Sequence, residues 1–165
     1  MEQSASTPAV AFLLERGVEF EELHYNHAAE FDRGFGVEAA EKLGFAFAEV
    51  FKTLMVEVDG DAKCVLVPVD HRMSLKKVSR AFGGKRANML APDKAQRRTG
   101  YVVGGISPFG QKTPAPILID ESCLELDYVV VSGGRRGFSV RLEVLDFLEV
   151  SGAQTADILS WETSH

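Results

Sequence analysis

The sequence predicts a single domain of mixed α+β class. Its 165 residues suit one domain, with 45% hydrophobic and 25% charged residues at ordinary globular values. Short segments of helical period alternate with short segments of strand period, without repeats or low-complexity tracts. One pair of period-two segments is joined by "DGD", a strong hairpin signal.

The elements follow in order. Thr7 and Pro8 open a helix as cap and first residue, Val10, Leu13 and Leu14 give its apolar stripe, and Gly17 closes it. Phe20 to Tyr25 reads as a strand, and Val37 to Leu43 as a helix ending at Gly44. Val50 to Val58 and Cys64 to Val69 form the hairpin. Ser74 caps a helix that buries Leu75, Val78 and Phe82, turns Lys76, Lys77 and Arg80 outward, and stops at Gly83-Gly84. Pro92 starts a short helix; Ile117 to Ile119, Tyr128 to Ser132 and Phe138 to Leu142 are strands; Leu142, Leu145 and Leu148 mark a last helix. The residues up to Trp161 read as a loosely attached tail.

Composition narrows the function classes. No basic-then-apolar leader opens the sequence, and its longest apolar runs are too short for a bilayer. Cys64 and Cys123 are isolated and form no C-x-x-C, which points to a reducing cytoplasm without a structural metal and leaves a disulfide between them open. His24 and His27 fall on opposite faces of an extended segment with no third ligand near, while His71 and His165 belong to no triad. No G-x-S-x-G or catalytic cysteine motif appears. Net charge is -6, yet Lys76 to Arg98 holds eight basic residues against Asp93 alone, and the rest of the chain holds ten basic and 23 acidic residues. Such segregation suits a polyanion docking on one face, or a merely solvated helix pair.

Three features carry candidate chemistry. In "VFKTLMVEV", period two puts Lys52 on the apolar face with Val50, Leu54, Val56 and Val58. An ammonium there either snorkels to the strand end or lines a cavity that receives an anionic or carbonyl group. "GYVVGGISPFGQK", Gly100 to Lys112, carries more turn chemistry than a hairpin needs. Its glycines fit a bulge, a close backbone contact or amides aimed at a ligand. "VSGGRRG" is a second glycine-rich turn, flanked by Arg135 and Arg136.

The runs "TPAV" with "LL", "HYNH", "VFKTL", "SLKKVSRAFGGKR", "RTGYVVGGISPFGQK" and "VSGGRRG" together resemble the YbaK/EbsC family of free-standing editing domains, the Cys-tRNA(Pro) deacylases, over roughly Thr7 to Val150. The resemblance implies a curved, barrel-like mixed sheet surrounded by short helices, in a cytoplasmic enzyme with no cofactor and no metal. Its substrate would be the 3′ end of a mischarged aminoacylated tRNA, Cys-tRNA(Pro) with Cys-tRNA(Cys) as a further candidate, and prolyl-tRNA synthetase would join in a ternary complex with that tRNA. No membrane is involved. Carried over by position, the essential lysine is Lys52, the G-x-x-x-P loop spans Gly104, Gly105, Ser107 and Pro108, the pocket tyrosine is Tyr25 and the strand-end serine is Ser132. Ser139 stands where the best-studied branch resembling this chain carries aspartate, two residues after the glycine. Lys76, Lys77, Arg80, Arg97 and Arg98 are the expected tRNA contacts. Ala-tRNA(Pro) or broader deacylation, and a non-catalytic RNA-binding module on the same basic face, remain the alternatives.

Overall fold

A computed structural model describes residues 7–26 and 35–163. His27 and His165 lie outside them. Five helices are α1 (Pro8–Glu15), α2 (Phe35–Leu43), α3 (Leu75–Ala81), α4 (Pro92–Thr99) and α5 (Val144–Ser151). Ten strands are β1 (Glu21–His24), β2 (Phe51–Val58), β3 (Asp61–Pro68), β4 (His71–Met73), β5 (Ala87–Met89), β6 (Ile117–Asp120), β7 (Tyr128–Arg135), β8 (Phe138–Glu143), β9 (Gln154–Ala156) and β10 (Leu159–Thr163).

A five-stranded sheet runs β5-β2-β3-β6-β9, a three-stranded sheet runs β1-β8-β7, and β10 pairs with β4. The β2–β3 hairpin turns at Asp59-Gly60, whose φ values of 51° and 91° are those of a two-residue type I′ turn. Val58 then pairs with Asp61 and Lys52 with Val67. The apolar run of β3 is buried on both faces, as a strand between antiparallel β2 and parallel β6 requires. A parallel bridge between Val50 and Val130 joins the two larger sheets where β2 begins, and residues of both pack into one apolar cluster.

Three apolar clusters fill the fold. Ala9, Leu13, Phe51, Met55, Tyr101, Phe109, Phe138 and Phe147 pack on one face of β2. Val56, Val58, Val65, Val67, Val78, Leu118 and Ile158 pack on the other. Ala40, Val50, Val69 and Val130 form a third beneath α2. Helix α1 is capped as expected: Val10 N–H donates to Thr7 Oγ1 at 3.2 Å, and that hydroxyl donates to the Gly133 carbonyl at 2.7 Å.

Two expectations change. The segment after Gly152 is no loose tail: β9 pairs with β6, Ile158 is fully buried, its N–H donates to Asp120 at 3.1 Å, and Lys77 binds Asp157 at 3.0 Å. Leu142 does not open α5 but pairs with Val129 in the sheet. The helix starts at Val144, buries Val144 and Phe147, and leaves Leu145 75% exposed. Leucines at 142, 145 and 148 imitate a helical stripe although the strand ladder claims the first of them.

Candidate functional site

A cleft of about 370 Å³ opens between the start of β2, the β7–β8 hairpin and the glycine-rich loop. Tyr25, Lys52, Gly104, Ser132 and Ser139 all line it. They come from four separate stretches of chain. Ser132 and Ser139 are cross-strand partners in β7–β8, Leu23 of β1 pairs with Ser139, and Tyr25 N–H donates to the Gly137 carbonyl at 3.0 Å. The β1–β8–β7 sheet therefore carries the tyrosine and both serines as one unit, and the Val50–Val130 bridge sets Lys52 against it.

Lys52 is half-buried, and burial lowers its pKa below 10.5. The Asp70 carboxylate opposes that effect and the Arg72 guanidinium adds to it. Asp70 is itself held by His71 Nδ1 at 2.8 Å. Lys52 makes no ion pair among the described residues, so its charge is offered to the cleft. Burial also raises the pKa of Tyr25 above 10, with the charge of Glu38 acting the same way, which keeps the phenol a neutral donor at pH 7. Fully buried Glu38 binds Lys42 at 3.0 Å.

Among the described residues neither a cysteine nor a serine–histidine pair lines the cleft. Cys64 and Cys123 are both free thiols buried away from the cleft. Burial pushes Cys64 up to about 12 and Cys123 up to about 11, so neither is a thiolate at neutral pH. His24 stacks on Phe138 with ring centroids 4.7 Å apart and does not line the cleft. Ser132 Oγ accepts from Gly134 N–H at 3.2 Å.

The glycine-rich loop divides into two parts. Gly104, at φ 90°, faces the cleft, and its N–H meets no acceptor among the described residues. Gly105, Ser107 and Pro108 are buried behind it. Gly105 N–H donates to the Val102 carbonyl at 2.9 Å, and a Cβ on Gly105 would lie 2.7 Å from Arg135 Cα. Its role is close backbone approach to the second glycine-rich turn. Ser107 is 0% exposed; its Oγ accepts from Phe109 N–H at 3.2 Å and its carbonyl from Gln111 Nε2 at 3.0 Å. Val103 is clamped from both sides, its N–H donating to Gln96 Oε1 and its carbonyl accepting from Arg136 Nε, each at 2.9 Å.

The basic segment also divides. Lys76, Arg80 and Arg97 are exposed. Lys77 binds Asp157 and the Leu159 carbonyl, at 3.0 and 2.8 Å, and so anchors the C-terminal strands. Arg98 donates to the Pro114 carbonyl at 3.2 Å. Lys94, Arg97 and Arg98 line a shallow groove with Glu57 and Thr113; Leu90 lines both that groove and the cleft, which makes them neighbours.

With this geometry in place, the chain can be set beside known proteins. Residues 36–150 match the profile of the aminoacyl-tRNA editing domain family. The chain belongs to that family. It is 31% identical over 139 residues to EbsC of Enterococcus faecalis, named as a candidate Cys-tRNA(Pro)/Cys-tRNA(Cys) deacylase, covering 84% of this chain and 85% of that one. It is 32% identical over 128 residues to a proline–tRNA ligase of Acidithiobacillus ferrooxidans, spanning 75% of this chain but only 21% of the ligase. A solved structure described as a candidate trans-editing enzyme for prolyl tRNA synthetase superposes with a TM-score of 0.81 at 27% identity, covering 97% of this chain and 99% of the other. These likenesses bear out the YbaK/EbsC resemblance and the α+β editing-domain fold.

Two cleft residues escaped sequence reasoning. Arg135 reads in the sequence only as a neighbour of the second glycine-rich turn, whose amides are the candidate anion donors, whereas the β7 ladder, which shifts register before Arg135, brings its side chain to the cleft. Thr53 lines the cleft with its Oγ1 buried and unpartnered. Strand alternation turns Thr53 to the face opposite Lys52, but the cleft wraps around the start of β2 and takes Phe51 to Met55 from both faces.

Proposed function

We propose that the protein is a trans-editing deacylase that removes cysteine from mischarged Cys-tRNA(Pro), with Cys-tRNA(Cys) as a second substrate, in the cytoplasm. The observation that carries this reading is a partly desolvated Lys52 that, among the described residues, has no ion-pair partner and shares a cleft with the Gly104 amide, Tyr25 and Ser132 but with no enzyme thiolate or serine–histidine pair.

The family resemblance, together with a described cleft that holds no thiolate, supports attack by the substrate's own thiol. The cysteinyl thiol loses its proton and its sulfur attacks the ester carbonyl, forming a C–S bond. The C–O bond to the terminal ribose breaks, and the released hydroxyl takes up a proton. The four-membered thiolactone then opens in water to free cysteine. A free thiol titrates near ~8.5, so the Lys52 ammonium nearby enriches the thiolate. The Gly104 N–H donates to the carbonyl oxygen as it gains charge, and Tyr25 and Ser132 orient the ribose and amine. A serinyl ester, with a hydroxyl of far higher pKa, lacks this internal nucleophile.

The tRNA body lies across the basic groove next to the cleft, with prolyl-tRNA synthetase engaging the same tRNA. The test is deacylation of Cys-tRNA(Pro), Cys-tRNA(Cys), Ala-tRNA(Pro) and Ser-tRNA by the purified protein. Cleavage of the two cysteinyl substrates over the others supports the reading. Preference for Ala-tRNA(Pro) overturns the thiol mechanism, and inactivity on all four leaves an RNA-binding module.

A further inference from the structure

The cleft has an electrostatic asymmetry that cysteine recognition does not use. Among the described residues that line it two are cationic, Lys52 and Arg135, and none is Asp or Glu. This holds in a chain with a net charge of -6. Neither cation makes an ion pair among the described residues. A cysteinyl ester carries an ammonium, a thiol and a carbonyl, so it brings at most one anion, the thiolate that Lys52 meets, and none for a second cation. The remaining source of negative charge in an aminoacylated 3′ end is the phosphodiester just 5′ of the terminal adenosine.

We infer that Arg135 is the phosphate anchor of the cleft, holding the phosphodiester 5′ to the terminal nucleoside and thereby leaving Lys52 to the ester. This rests on the deacylase reading above and deepens it. Arg135 is built for a fixed ligand. Its guanidinium lies 4.8 Å from the centroid of the Phe138 ring, a contact that orients the planar fork without consuming its hydrogen-bond donors. The same ring stacks against His24 and is almost wholly buried, so the platform is rigid. The Arg135 backbone is held from the other side by Gly105, where even a methyl group would collide. The next residue ties the hairpin to the glycine loop through Arg136 Nε and the Val103 carbonyl. Any movement of Arg135 therefore carries the Gly104 loop with it, so phosphate and ester are gripped by one connected unit. A planar guanidinium also suits a phosphodiester better than an ammonium does, because it donates two parallel N–H groups.

The experiment uses cysteinyl-adenosine analogues in which a 3′-amide replaces the ester, with and without a 5′-phosphate, titrated calorimetrically into the wild-type protein and the Arg135→Gln, Arg135→Lys and Lys52→Met variants. The expected result is that the 5′-phosphate tightens binding to wild type about tenfold. That gain disappears in Arg135→Gln, survives in part in Arg135→Lys, and persists in Lys52→Met, while the phosphate-free analogue binds wild type and Arg135→Gln alike. A phosphate gain that persists in Arg135→Gln, or that vanishes in Lys52→Met instead, overturns the assignment, as does equal weakening of both analogues in Arg135→Gln. Deacylation of Cys-tRNA(Pro) by wild type is measured alongside. Activity on the tRNA with no phosphate gain overturns the anchor alone, whereas inactivity overturns the deacylase reading itself.

Discussion

Gly105 and Arg135 touch backbone to backbone, and a Cβ at position 105 would stand 2.7 Å from Arg135 Cα and 2.9 Å from Arg136 N. The two glycine-rich turns that the sequence displays separately, Gly105 and Arg135 standing 30 residues apart, form one packed junction at the edge of the cleft. Gly105→Ala is therefore expected to destabilise the protein by roughly 1–3 kcal/mol, the usual range for forcing atoms into filled space. It should also lower deacylation by displacing Gly104 and Arg135 together. Urea denaturation and single-turnover assays check both, and a variant with wild-type stability would show that the junction yields easily.

Thr7 anchors the same junction from helix α1. Its hydroxyl caps the helix and donates to the Gly133 carbonyl at 2.7 Å. Thr7→Ala loses both bonds and should cost about 1–2 kcal/mol. Thr7→Ser keeps the oxygen and should recover most of that loss. Chemical denaturation midpoints with unchanged slopes would establish the effect.

Much of this was legible in the residues, for physical reasons that can be named. Asp59-Gly60 has few alternatives to a tight turn once period-two segments flank it, which fixes the β2–β3 register and with it the position of Lys52. The three-residue strands β4, β5 and β9 were not legible, because so short a run has no period and is extended only through its partners. Ser107 reads as a candidate ligand residue, yet the loop turns it inward to satisfy Phe109 N–H. Lys77 looks like one more cation on a basic helix, and only the return of the C-terminal strands, 80 residues on, gives it Asp157 as a partner.

That distinction predicts different outcomes along the basic segment. The double variant Lys94→Glu, Arg97→Glu should weaken tRNA binding and flatten the log–log salt dependence by ~0.7–0.9 per lost phosphate contact. Single-turnover chemistry at saturating tRNA should survive. Lys77→Glu should instead lower the thermal midpoint by setting two carboxylates against each other at Asp157. Binding at several salt concentrations together with thermal melts separates the two effects.

The titration of Lys52 is a direct reading of the cleft. Burial disfavours its charged form, so its midpoint should fall below 10.5. Removing the carboxylate in Asp70→Asn takes away the group that favours the charge and should lower the midpoint further, whereas Arg72→Gln should raise it. The sign for stability follows. A lysine that binds its proton less tightly when folded opposes folding at pH values below its folded pKa, and that opposition is relieved as pH rises through it. Lys52→Met should therefore be at least as stable as wild type at pH 7. Lysine-selective NMR titration and thermal melts of the variants measure these quantities.

Catalysis in the proposed mechanism depends on the Lys52 charge acting on the substrate's thiol and ester. The most direct test is single-turnover deacylation of Cys-tRNA(Pro) at saturating enzyme by wild type and by Lys52→Met, the latter shown to melt at or above the wild-type temperature. A loss of 100-fold or more, about 2.7 kcal/mol of transition-state stabilisation, is the predicted result. A rate within twofold of wild type would contradict it and remove Lys52 from the chemistry.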